Sequence, residues 1–351
     1  MGRAFSPTAL WRARLGPYRT RRLLEVHLAV LLVLTAVAAT GLLLSCRQMQ
    51  RGADALALRE APAVQGLAGT RLALIRADHE ARVQDSSLIG VVGAGETYRS
   101  QLSAADQSLS RITGLTVRDL GTVRGLFTTY STSLGLGTSL YRDEPLMRRQ
   151  KLGEANSLLA REELGLVPRI GGLQKQQQAH AVVTARTGWL QWGGWALTEL
   201  ALLAAALTML SALFVLLDRC GRRFNPYLLA ALGLTVLLAT APAVAAYKTD
   251  AKLQAGVASL AEITRTSQAI TPTPFDALQV RMTAAEQGER ERLAKAQQEV
   301  ASQSESVREE VALTLWIYVA YRGAFVISLL VIVLPALALG LRLQKDYGRR
   351  P

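Results

Sequence analysis

Five ionisable side chains fall within ten residues in the stretch Arg71-Leu-Ala-Leu-Ile-Arg-Ala-Asp-His-Glu80. A guanidinium in the groove of a helical bundle grips a carboxylate through two parallel N–H···O bonds. Arg71, Arg76, Asp78 and His79 are therefore the candidate ligand-binding residues. The same run also fits a solvated helix face, as most charge runs do.

No other constellation in the chain is suited to catalysis. His27, His79 and His180 are its three histidines, and none has a partner at i+3 or i+4 of the zinc-binding kind. The run Gly90-Val-Val-Gly-Ala-Gly-Glu96 resembles a phosphate cradle only superficially. It lacks a preceding strand and a Lys-Ser/Thr ending, and reads as a helix connector. No nucleophile, base and orienting group stand in a recognisable set. The expectation is a protein without catalytic residues, metal or cofactor, and not an enzyme.

Two charges interrupt apolar segments. Glu199 lies four residues after Trp195, and Arg322 four residues after Tyr318. Both fall at similar depth if their segments run in the same direction across a bilayer. Intramembrane charges pair or face a cavity, so an ion pair between Glu199 and Arg322 is one reading. Separate snorkelling to the interface is the other.

Helices must position all of these groups. Half of the residues are hydrophobic, yet the formal net charge is +13. Four segments, 28–45, 195–217, 227–247 and 315–341, are apolar over about the 20 residues that a bilayer core requires. Residues 1–22 hold six arginines and no acid, 218–226 three arginines and one aspartate, and 342–351 four bases and one acid. The rest of the chain holds 27 bases and 25 acids, close to balance. Lys and Arg collect on cytoplasmic flanks. Both termini and the 218–226 turn are thus expected inside, with Arg219, Arg222 and Arg223 as topology pins or a partner contact. The basic charge marks orientation rather than nucleic-acid binding. Trp189, Trp192, Trp195, Tyr247, Trp316, Tyr318 and Tyr321 fall at the opposite interface, where aromatic rings settle.

The expected fold class is an all-α integral membrane protein with four transmembrane helices, an extracytoplasmic helical bundle and a second extracytoplasmic helical hairpin. The layout is a basic cytoplasmic N-terminus at 1–22, a first span at 23–46, the outer bundle at 47–188, and a second span at 189–217. The inner turn at 218–226, third span at 227–247, outer hairpin at 248–314, fourth span at 315–341 and cytoplasmic tail at 342–351 follow. Cys46 and Cys220 lie a membrane thickness apart in this layout, beyond the reach of a disulfide. Leu43-Leu-Ser-Cys46 loosely matches a lipoprotein cleavage box. The apolar run before it is longer than a signal h-region and fits an uncleaved anchor; a lipidated Cys46 is the alternative.

Within the outer bundle, residues 47–60 continue the first span outward. Ala61-Pro62 is expected to break the helix, and a helix follows over 62–88. Further helices are expected over 96–112, 115–141, 144–165 and from about 166 into the second span. The outer hairpin is rich in Ala, Glu, Gln, Lys and Arg around Ile270-Thr-Pro-Thr-Pro274. Its apolar positions are sparse, so it needs a partner surface, and the outer bundle is the natural one.

The strings running from Ala61 to Ala81, Gly95 to Asp106 and Lys151 to Ala160, the Leu166-Val-Pro168 break and Asp276-Ala-Leu-Gln-Val-Arg-Met282 resemble a family of actinobacterial four-span membrane sensors. The resemblance implies a partner that is an amino-acid-binding lipoprotein and a signal passed to a cytosolic Ser/Thr kinase. It assigns no binding residues. The outer bundle also resembles the four-helix sensor domains of chemoreceptors, without their signalling coiled coil.

About 40 residues in three pieces are left for the cytoplasm, too few for a catalytic domain. The leading expectation is a non-enzymatic sensor or adaptor in a bacterial plasma membrane, relaying the status of an extracytoplasmic ligand or solute-binding protein to a cytosolic partner. A homodimer is common for this shape, and the lipid bilayer is the surrounding partner. The alternative is a structural scaffold in a secretion or cell-wall complex.

Overall fold

A computed structural model describes residues 20–86, 94–115, 120–186, 188–220, 226–273, 283–312 and, in the last apolar segment, 319, 322–323, 325–334 and 336–337. The described residues form helices and no strand. In chain order these are α1 (Thr20–Ala55), a π-helical turn (Leu56–Glu60), α2 (Ala61–Ser86), α3 (Ala94–Ile112) and α4 (Leu120–Gly135). A second π-helical turn (Leu136–Leu140), α5 (Pro145–Ala160), α6 (Leu166–Ala185), α7 (Trp189–Cys220), α8 (Pro226–Ala269) and α9 (Thr283–Ala312) complete the set.

The chain divides into two compact units. The first comprises 1–50, 187–249 and 315–351; the second comprises 51–186 and 250–314. Three described helices are long and apolar enough to cross a membrane: Glu25–Val83, Gln191–Phe214 and Pro226–Ala269. A shorter apolar helix, Phe325–Leu334, lies where the fourth span is expected.

In the first unit, Leu31, Ala38 and Leu42 of α1 pack with Leu202 and Met209 of α7 and with Leu228, Ala231 and Leu238 of α8. The same helices expose large apolar side chains on their other faces, among them Val33, Leu200, Phe214 and Val236. Apolar residues inside and outside alike are what a lipid solvent selects. A Cβ on Gly41 would come within 2.5 Å of Thr198 Oγ1, and one on Gly194 within 2.6 Å of Ser45 Oγ. Small residues here let α1 and α7 approach closely, as in membrane helix pairs.

The helix does not break at Ala61-Pro62. Proline cannot donate to the carbonyl four residues back, and its ring crowds that carbonyl. The chain absorbs the misfit in the π-helical turn just before it. There the Ala61 N–H reaches Leu56 O, five residues back, and helix resumes with Pro62 in its first turn. Such single π turns insert one residue without ending the helix. The helix α8 likewise runs through Pro242 without ending.

The second unit is a bundle built around α2. Between Thr70 and Arg82 every residue except Arg76 is buried. Leu67, Leu74 and Ile75 of α2 meet Leu109 and Ile112 of α3, Phe127 and Tyr130 of α4, Leu152 and Leu159 of α5, and Leu166 and Ile170 of α6. Leu293 of α9 belongs to the same core, and Ile270 packs against it. The two polar segments of the chain thus share one core, the second resting on the first as its sparse apolar positions require.

Candidate functional site

The sequence places five ionisable groups in the run 71–80, and the structure buries four of them. Arg71, Asp78, His79 and Glu80 are each less than one-tenth exposed, as is the adjacent Arg82. The solvated-face reading of this run is therefore overturned. The reason lies in the small residues of α2. Ala63, Ala68, Ala73, Ala77 and Ala81 are buried and let neighbouring helices close on every side, so the polar groups between them are enclosed as well.

One side of α2 carries Asp78. Its carboxylate forms an ion pair with Arg82 one turn on and accepts a hydrogen bond from Asn156 Nδ2 of α5 at 3.3 Å. Arg82 Nη1 donates to the backbone carbonyl of Thr273 at 2.9 Å. Burial pushes the Asp78 carboxyl above the usual carboxylate range, opposed by Arg82 and by the bonds from Arg82 and Asn156. Tyr130 of α4 donates its hydroxyl to Leu74 O at 3.5 Å, and its burial, with Asp78 nearby, raises the phenol well above its ordinary value. Asp78 Oδ1 has no hydrogen-bond partner among the described residues.

Another side of α2 faces α9. Glu80 pairs with Arg290 at 2.8 Å, and Arg76 Nη1 donates to Gln297 Oε1. Gln297 Nε2 donates in turn to Gln101 Oε1 of α3 at 2.9 Å, and Gln65 Nε2 to Ser304 O at 3.3 Å. His79 lies among Glu289, Glu80, Arg82 and Arg290; burial lowers its pKa, against the pull of the two acids. Neither of its ring nitrogens has a partner among the described residues. Burial thus disfavours the charged imidazole at this position.

Arg71 differs from the others. It is only 5% exposed, and among the described residues neither its Nε nor its Nη1 has a hydrogen-bond partner. Burial alone pushes its guanidinium down to about 10, with no acid opposing the shift. Unpaired buried charge is costly, so an arginine in this setting is suited to receiving an anion. The four candidate residues are thereby sorted. Asp78 is paired with Arg82, Arg76 bonds to Gln297 of α9, and His79 and Arg71 are buried with side-chain nitrogens that have no partner among the described residues.

Arg82, Asn156, Arg290 and Gln297 were not picked out from the sequence. Only Asp78 and Arg82 carried a local signal, an acid and a base at i and i+4. The others lie 78 or more residues from their partners.

Glu199 sits on α7, half-buried, and Arg322 is exposed in the last apolar segment. The side chain of Arg219, and Arg222 and Arg223 entirely, lie outside the described residues, as do most of the 90–96 glycine run and both termini. Cys46 is a half-buried free thiol on α1. Among the described residues no three His, Cys, Asp or Glu side chains gather as metal ligands would. No protein-family model, curated protein or solved structure matches the chain.

Proposed function

We propose that the chain is a non-enzymatic sensor or adaptor of a bacterial plasma membrane. In this reading four spans anchor it, both termini and the 218–226 turn face the cytoplasm, and the second unit stands outside. The observation that carries the reading is helical continuity. The helix Glu25–Val83 holds an apolar span and the buried polar run of α2 on one rod, and Pro226–Ala269 holds the third span and the start of the second polar segment on another. A rearrangement around α2 would pass along this continuous helix toward the apolar span. The outer partner, whether a small ligand or a loaded solute-binding protein, acts by favouring one of two helix arrangements. It shifts their balance only by its difference in affinity for the two. The inner turn, with Arg219, Arg222 and Arg223, is the contact offered to a cytosolic partner.

The test uses Cys220 as a reporter after replacing Cys46 by serine. A membrane-impermeant thiol reagent labels Cys220 in inside-out vesicles and not in intact cells. An environment-sensitive fluorophore at Cys220, in nanodiscs, changes its emission when an outer ligand or binding protein is added. Labelling of Cys220 from outside intact cells defeats the topology, and bound partner without any change at Cys220 defeats the relay.

A further inference from the structure

We infer that the second unit binds a small carboxylate between the Arg71 guanidinium and the N-terminal backbone N–H groups of α6. The inference deepens the sensor reading by giving the chemical class of its ligand, and it rests on that reading for its role.

The register of the helices brings these groups together. Glu60 accepts a hydrogen bond from Gln177 of α6, and Asp78 accepts one from Asn156 of α5. Residues 18 apart on a helix share one face, since 18 residues make about five turns. Glu60 and Asp78 therefore look the same way, and Arg71 lies on their stripe between them. Eleven residues from Glu60 along α2 reach Arg71. Eleven residues back from Gln177 reach Leu166, the first residue of α6. From the other end, Asn156 is four residues from the end of α5. About four residues back from Asp78 is Leu74, one turn short of Arg71. The turn between α5 and α6 is thus bracketed at the level of Arg71 from both sides.

That turn presents donors. The helix α6 begins at Leu166 after Gly165, with no side chain capping it. The first N–H groups of a helix have no partner within it. Leu166 is fully buried and Val167 is 4% exposed, and no backbone carbonyl among the described residues outside the helix takes the N–H of either; Pro168, next in the turn, has no N–H to offer. A Cβ on Gly165 would meet Arg161 O at 2.7 Å and Leu159 O at 2.8 Å, so glycine keeps this turn tight. Glu162 and Glu163, the acids of the turn, are exposed and do not neutralise Arg71. The register sets two groups of buried donors, a guanidinium and a helix N-terminus, at one level of the bundle. Helix N-termini and arginines are both anion binders.

The charge selects the anion. Arg82 is balanced by Asp78 and Arg290 by Glu80; the buried Glu60 is eleven residues away and bonded to Gln177, so the positive charge at Arg71 has no acid beside it. A monoanion neutralises it, whereas a phosphate or sulfate dianion would leave an excess negative charge. The planar fork of the guanidinium matches a carboxylate rather than a spherical halide.

The experiment is thermal unfolding of the full chain in nanodiscs, at constant ionic strength, in a sulfate buffer. The probes are formate, acetate, lactate, the free amino acids, chloride and nitrate. At least one carboxylate is expected to raise the Tm of the wild type, with chloride and nitrate giving no such rise. Arg71→Met, of similar length and apolar, is expected to stay folded and to weaken that carboxylate by about tenfold or more, the worth of a charged hydrogen bond. Arg71→Lys, which keeps the charge but not the fork, is expected to lose part of it. Chloride stabilising as well as the best carboxylate, or no probe raising the wild type above Arg71→Met, would overturn the site. Carboxylate binding without a response at Cys220 would leave the site standing and remove the relay.

Discussion

Replacing Asp78 by alanine leaves Arg82 charged, with 5% of its side chain exposed and no carboxylate beside it. Removing one partner of a buried ion pair costs about 3–5 kcal/mol. Arg82 keeps a bond to Thr273 O at 2.9 Å and a longer one to Asp78 O at 3.4 Å, both to backbone. These soften the loss and place Asp78→Ala near the lower end, about 3 kcal/mol. A unit of this size shifts by about 2–4 °C per kcal/mol, so Tm should fall by about 6–12 °C. The double variant Asp78→Ala, Arg82→Met removes the stranded charge. Replacing a buried pair by apolar groups is commonly neutral or stabilising, so the double variant should recover at least half of the loss. The assay is thermal unfolding of the detergent-solubilised chain followed by circular dichroism, with each variant measured singly and together. A drop below about 1 kcal/mol for Asp78→Ala, or a double variant less stable than both singles, would refute the burial of this pair and with it the enclosed polar interior of α2.

The remaining predictions concern protonation and packing. His79 has its pKa lowered from 6.5 by burial, so below that pH the unfolded chain binds more protons than the fold. Stability should therefore fall as pH drops through 6.5, by up to about 1.4 kcal/mol per pH unit from this one group. His79→Gln should remove that share, and an unchanged slope between pH 7 and 5 would contradict it. A Cβ on Gly66 would sit 2.4 Å from Cγ2 of the buried Ile112, whereas one on Gly69 would meet nothing within 4 Å. Gly66→Ala should lose about 1 kcal/mol, overpacking outweighing the helix gain, and Gly69→Ala should gain about 0.5–1 kcal/mol. Equal Tm shifts for the two would show that α2 and α3 are not packed as described.

Much of the helical layout was legible in the sequence because it is local. The starts of α5 at Pro145, of α6 after Gly165 and of α8 at Pro226 follow residues that shape their own backbone. The apolar runs of α1, α7 and α8 need only be counted. Pro62 misled because a single π turn upstream lets the helix pass it, and the sequence before Pro62 carries no mark of that turn. The acid–base run 71–80 misled for a different reason. Charge usually signals solvent, but the alanines of α2 let five helices close over it.

By itself the sequence determined where helices form, which of them are apolar throughout, and where positive charge collects. Propensity, periodicity and composition act over a few turns and need no partner. Only the tertiary structure decided which charges are matched. Asp78 meets Asn156, Glu80 meets Arg290, and Arg76 meets Gln297, across separations of 78, 210 and 221 residues. Those meetings depend on helix register, which is set by the packing of the whole unit and leaves no trace in any short stretch of the chain.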